Sequence, residues 1–168
     1  ARARELVAAA SGAPADPAPR VELGNLYFDA ERYTDAVEWY EQALRLKPND
    51  ANVSTDLGVA YYYTDQPDKA IQQFEQSLKA DPKHTKTMLN MGIVKAFGKQ
   101  DLTGAAAAWQ QVIATAPDSP EAQAAKKALE TNRAATGEKQ NHYERVFIVK
   151  LYNDAKEPNR VAAAAGFS

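Results

Sequence analysis

The chain has 168 residues, a formal charge of −2 and a pI near 5.7, so it lacks the basic field that nucleic-acid binding requires. It contains no Cys, which excludes disulfides, thiol catalysis and Cys-ligated zinc. It also has no apolar run of about 18 residues, the length a membrane-spanning helix needs.

Residues 1–10 are Ala-rich and read as a short, weakly packing helix. Three prolines between Pro14 and Pro19 then mark an extended linker, which fits a tether from an upstream membrane anchor. The chain opens on Ala1 rather than Met. Removal of a signal or anchor and excision from a longer chain both explain this, and both stay open.

Beyond the linker the sequence repeats. Gly24, Gly58 and Gly92 are spaced by 34 residues, as are Pro48 and Pro82. Pro82 to Pro117 is 35 residues, so the third copy carries one extra residue, expected near Gly98-Lys99. A fixed period of this size marks a stacked array, because one unit cannot bury its apolar face alone.

Within a copy, Leu57, Gly58 and Tyr61 share a helical face, and Ala70, Phe74 and Leu78 form a stripe on a second helix. Thr64 to Asp68 reads as the turn between them, with Asp68 able to cap the second helix. Gly58 and Ala70 are small where the two helices approach closely. Pro82 stops the second helix. The same pattern gives units over about 20–48, 51–82 and 85–117. Ser119 then caps a further helix, with Pro120 at its first position and Glu121 at the positive end of its dipole. It runs to about Arg133 and closes the array.

These residues resemble the tetratricopeptide repeat (TPR) family: a Leu-Gly pair, Tyr, then Ala, an aromatic, and Pro over 34 residues. The resemblance covers residues 17–119. The third copy departs from it, with Met91 at the Leu position and Lys95 at the Tyr position. The expected fold is an all-α TPR solenoid of three helix-turn-helix repeats plus a C-terminal capping helix, with a non-repeat apolar tail. The corresponding divisions are 1–19, the N-terminal segment and linker; 20–134, the repeats and capping helix; and 135–168, the tail. The phrasing of Asp56 to Ala70 and of Asn90 to Asp101 is similar to bacterial TPR proteins grouped with cytochrome c biogenesis factors. This implies a bacterial assembly scaffold; it leaves the compartment open and favours a periplasmic or membrane-tethered location over a cytoplasmic one.

In TPR proteins the first helix of each unit lines a concave peptide-binding groove. By register the groove positions here are Asn25, Phe28, Asp29, Thr55, Val59, Tyr62, Tyr63, Lys86, Leu89, Asn90, Ile93 and Phe97. Several of these exceed what packing within a repeat requires, and a contiguous apolar patch of this kind marks a binding site. The family's carboxylate clamp is a different case. At its positions stand Val21, Asn25, Asp56, Lys86 and Asn90, and only Asn25 and Lys86 agree with it. An amphipathic helix or an apolar strand fits the groove better.

The tail carries Tyr143, Val146, Phe147, Ile148, Val149, Leu151 and Tyr152. Its β-branched and aromatic content favours extended structure over a helix. It suits docking on the array or on a neighbouring subunit, which would make the chain a self-assembling homo-oligomer.

Catalysis, metal and cofactor chemistry find no motif. His84 and His142 have no nucleophile or paired carboxylate beside them in sequence. Gly104 to Ala108 is the small-residue start of a helix, not a phosphate loop. The expected partner is a protein or peptide, not a nucleic acid or a small-molecule substrate.

Overall fold

A computed structural model describes residues 1–135 as eight helices, and no strand occurs among the described residues. The expected apolar tail from Tyr143 to Tyr152 lies outside the described residues. The helices fall in two compact units, Ala1–Pro82 and Lys83–Ser168. In the first unit α1 spans Arg2–Gly12, α2 Ala18–Asp29, α3 Tyr33–Leu46, α4 Ala51–Tyr63 and α5 Pro67–Ala80. In the second, α6 spans Thr85–Gly98, α7 Leu102–Thr115 and α8 Pro120–Ala135. Helices α2 and α3 pack as a pair, as do α4 and α5 and, in the second unit, α6 and α7.

Each pair closes on one small-to-large contact. Tyr40, Phe74 and Trp109 are fully buried on the second helices, and each ring packs closely against the glycine of its own pair: Gly24, Gly58 and Gly92 respectively. A methyl group on Gly58 would sit 2.5 Å from the Phe74 ring, and at the other two glycines it would sit closer still. The 34-residue spacing of these glycines is therefore the spacing of the closest helix–helix approach.

The turns repeat as strictly as the helices. The backbone N–H of Arg32 donates to Tyr27 O at 2.8 Å, and that of Gln66 donates to Tyr61 O at 2.9 Å. In the third turn Asp101 N donates to Lys95 O at 2.8 Å. Five residues separate donor and acceptor in the first two turns and six in the third. The extra residue of the third copy is absorbed here, where it was expected. One residue before each second-helix cap is left-handed: Glu31 (φ 59°), Asp65 (φ 62°) and Gln100 (φ 54°). Side chains other than glycine pay about 1 kcal/mol for that conformation. Gln100 is exposed, so its side chain offers nothing in return. Gln100→Gly is expected to stabilise the chain by roughly 0.5 kcal/mol and to raise the thermal midpoint by roughly 1–2 °C. Calorimetry checks this.

Two local expectations are corrected. Asp68 does not cap α5: Gln66 holds the cap position, Pro67 is the first helical residue, and Asp68 lies in the first turn, where its charge meets the dipole. The Pro-rich stretch is not an extended tether. Helix α1 continues to Gly12, and α2 begins at Ala18. Pro17 and Pro19 cost α2 nothing, because the first turn of a helix has no use for their missing N–H groups. The Arg20 guanidinium donates to Ala10 O (3.3 Å), Ala13 O (3.4 Å) and Asp16 O (3.0 Å), tying the connection to α2. Leu6 and Ala10 are buried as α1 packs on α2. The Arg2–Glu22 ion pair at 2.7 Å is exposed and adds little.

Helix α8 packs on α7 and α6 through Ala122, Ala125 and Ala128. Ser119 caps it as expected, its Oγ accepting from Ala122 N at 3.0 Å. Asp101 caps α7 in the same way, accepting from Gly104 N at 2.8 Å.

Candidate peptide-binding surface

The groove positions of the first unit lie on α2 and α4. Phe28 and Asp29 end α2, while Tyr62 and Tyr63 end α4. The structure gathers these ends into an aromatic cluster. Phe28 meets Tyr63 edge-on at 5.9 Å between ring centroids, and Tyr62 tilts against Tyr63 at 5.6 Å. A fourth ring, Tyr33 at the start of α3, stacks on Tyr63 at 4.5 Å and meets Phe28 edge-on at 5.2 Å. Tyr33, Tyr62 and Tyr63 are half-buried, and Phe28 is buried behind them. Tyr33 belongs to a second helix, so first-helix register alone does not find it.

The remaining positions of this unit support rather than present. Thr55 is buried, with its Oγ1 donating to Ala51 O at 2.7 Å. Val59 is buried in the core. Asn25 is half-buried, and its Oδ1 accepts from the Tyr40 hydroxyl at 2.7 Å. The ring that packs on Gly24 thus also orients Asn25.

In the second unit the groove positions lie on α6. Lys86 is half-exposed, whereas Leu89, Asn90, Ile93 and Phe97 are all buried. Helix α6 buries residues on every face, as a helix apolar all round does. Asn90 Nδ2 donates to Lys86 O at 2.7 Å, so its amide is committed to its own helix. In the first unit the accessible part of the expected surface is therefore Asp29, Tyr62 and Tyr63, joined by Tyr33; in the second unit it is Lys86.

Burial favours the neutral hydroxyls of Tyr33, Tyr61 and Tyr63. Burial pushes Tyr63 well above the ordinary tyrosine range, and the neighbouring Tyr33, Tyr62 and Glu31 add to this. Tyr33 is raised by burial, then by the charges of Glu31 and Asp29. Tyr61 is raised by burial and by the hydrogen bond its hydroxyl donates to Glu41 Oε1 at 2.7 Å. A raised folded-state value means the fold prefers the neutral hydroxyl. That contribution is fully present below the ordinary value of 10.0 and is lost as pH rises through the folded-state values. Tyr63→Phe is accordingly expected to blunt the loss of stability between pH 10 and 12, as read by urea midpoints across an alkaline series.

His84 is the cap residue of α6, with Nδ1 2.7 Å from Thr87 Oγ1. Among the described residues no group of three or more His, Asp or Glu is placed to hold a metal ion. His142 lies outside the described residues.

A TPR-repeat family model matches residues 24–65, and a tetratricopeptide-repeat model matches residues 51–84. No curated protein matches the sequence significantly. Among solved structures, the first TPR domain of Spaghetti (RPAP3) bound to the HSP90 peptide SRMEEVD is similar with a TM-score of 0.64 and 21% identity, covering 73% of this chain and 94% of that one. The Sgt2 TPR domain from Aspergillus fumigatus has a TM-score of 0.64 and 24% identity, covering 74% of this chain and 85% of that one. MamA has a TM-score of 0.69 and 19% identity, covering 98% of this chain and 89% of that one. At such identities the likeness is one of fold. The chain carries tetratricopeptide repeats across residues 24–84, set in an all-helical TPR solenoid.

Proposed function

We propose that this protein is a non-enzymatic interaction scaffold that holds an amphipathic or extended segment of a partner protein against the first-helix face of its repeats. The observation that carries the reading is the half-buried Tyr33–Tyr62–Tyr63 cluster, built on the buried Phe28 at the ends of α2 and α4. The closest approach within each helix pair is made elsewhere, at Gly24/Tyr40 and Gly58/Phe74. Tyrosines are rigid, amphipathic and enriched at interaction hot spots. The likeness to a TPR domain that holds a peptide supports the same reading.

The mode of binding differs from a carboxylate clamp. Val21 and Asp56 supply no cation, and Asn25 is already bonded to Tyr40. We read the chain's role as bringing proteins together in a bacterial assembly, in keeping with the repeat phrasing of residues 56–70 and 90–101.

A second reading, self-assembly, is favoured by the distribution of charge. Residues 1–82 carry eight Lys and Arg against fourteen Asp and Glu, while residues 83–168 carry twelve against eight. Opposite halves of two copies would attract, with the apolar segment from Tyr143 to Tyr152 as the docking element.

The scaffold reading is tested by quantitative partner capture with two surface variants. Tyr62→Ala with Tyr63→Ala should abolish capture. Gln72→Ala with Gln76→Ala, on the exposed side of α5, should leave it intact. Equal capture by both variants contradicts the reading.

A further inference from the structure

Tyr33 and Tyr63 meet across two repeats. Tyr33 begins α3 and Tyr63 ends α4, and their rings stack with centroids 4.5 Å apart and 18° between planes. Both are half-buried, so the pair is held in place yet open to solvent at its edge. The other described tyrosines are placed differently. Tyr62 follows on to Tyr63 in sequence and tilts 46° from it. Tyr40 and Tyr61 are buried, with their hydroxyls donating to Asn25 and Glu41. The Tyr27 ring lies under Arg32 at 4.9 Å.

The chain also offers an oxidant few other targets. Thiols and thioethers ordinarily take the first oxidising equivalents. Here there is no Cys, and the two methionines, Met88 and Met91, are buried. Of the two tryptophans, Trp109 is fully buried and Trp39 half-buried. Half-buried aromatic rings are what remains within reach, and among them stands the stacked pair.

Removal of one electron and one proton from a phenol leaves a radical. Its unpaired electron is shared with the ring carbons beside the C–O bond, in an orbital perpendicular to the ring. Two such radicals join face to face, so a stacked pair is already in the geometry of approach. We propose that Tyr33 and Tyr63 form an oxidative cross-linking site, at which hydrogen peroxide acting through a haem peroxidase joins the two rings as dityrosine. The peroxide takes one electron and one proton from each hydroxyl and leaves as two waters. A carbon beside each C–O bond then bonds to its counterpart on the other ring. The hydrogen on each of these carbons moves to the neighbouring oxygen, which restores two phenols. The product is the same chain less two hydrogens. Its new bond ties the start of α3 to the end of α4 and closes a loop between residues 33 and 63, which restricts the unfolded chain as a disulfide does. The inference does not rest on the scaffold reading, although the linked rings belong to the same surface.

The test treats the dilute full chain with a haem peroxidase and limiting hydrogen peroxide, under conditions that couple free N-acetyltyrosine. The expected product is a monomer lighter by two hydrogens, with dityrosine fluorescence, in which peptide mapping joins the Tyr33 peptide to the Tyr63 peptide. Oxidation of Trp39 adds oxygen instead, so mass separates the two. Tyr33→Phe and Tyr63→Phe keep the stacked rings and should each lower the yield of this product about tenfold or more, while Tyr27→Phe leaves it unchanged. The thermal midpoint of the linked monomer should rise by roughly 5–10 °C. Coupling only between chains, an intrachain product indifferent to Tyr33→Phe or Tyr63→Phe, or no loss of two hydrogens overturns the inference, and each leaves the scaffold reading in place.

Discussion

Trp109→Ala is expected to cost about 4 kcal/mol, the largest effect of any single truncation in the second unit. The indole is fully buried and packs on Gly92, and its Nε1 donates to Leu89 O at 3.2 Å. Truncation removes the apolar contact, leaves a cavity between α6 and α7, and takes away a buried donor in one step. A loss of this size is comparable with the total stability of many domains, and repeat arrays can unfold in part. The expected result is therefore selective: amide exchange should accelerate in α6, α7 and α8 before it does in α2 to α5. Trp109→Phe separates the two contributions. It keeps most of the packing and loses the hydrogen bond, and should cost about 1–2 kcal/mol. Urea denaturation of the three proteins measures both.

Gly58→Ala is expected to destabilise the first unit by about 2 kcal/mol, even though alanine is the better helix former by about 1 kcal/mol. The added methyl would lie 2.5 Å from Phe74 Cε1 and 2.8 Å from Cδ1. The ring is fully buried and cannot withdraw, so α4 and α5 must separate, and overpacking of that kind costs about 1–3 kcal/mol. The cost should depend on the ring. In a Phe74→Leu background the same substitution should be nearly neutral, giving a coupling energy of more than about 1 kcal/mol. Additive effects in this double-mutant cycle would mean that the Gly58–Phe74 contact does not set the spacing of the pair.

The fold was legible because these contacts are written at fixed distances. A glycine and a large aromatic recur together, and only a close helix pair needs both. The extra residue of the third copy was legible for the same reason, since it displaces Pro117 but not Gly92. The docking of α1 was not. Its buried face is only Leu6 and Ala10, and the carbonyl contacts of Arg20 leave no trace in residue spacing. The candidate site was half legible. Register places Phe28, Tyr62 and Tyr63 on the first-helix face, but Tyr33 joins them from a second helix through chain geometry alone. Leu89, Ile93 and Phe97 occupy the right register and are buried: apolarity predicts burial as readily as it predicts binding.

The most direct measurement of the central claim is a map of backbone amide shifts in the isotope-labelled full chain as an acetylated and amidated decapeptide of alternating Leu and Gln is added. The account predicts that the largest shifts fall at residues 25–33 and 59–66, where α2 and α4 end and α3 begins. Shifts concentrated on the exposed side of α5, around Gln72, Glu75, Gln76 and Lys79, or no shifts at all, would contradict it.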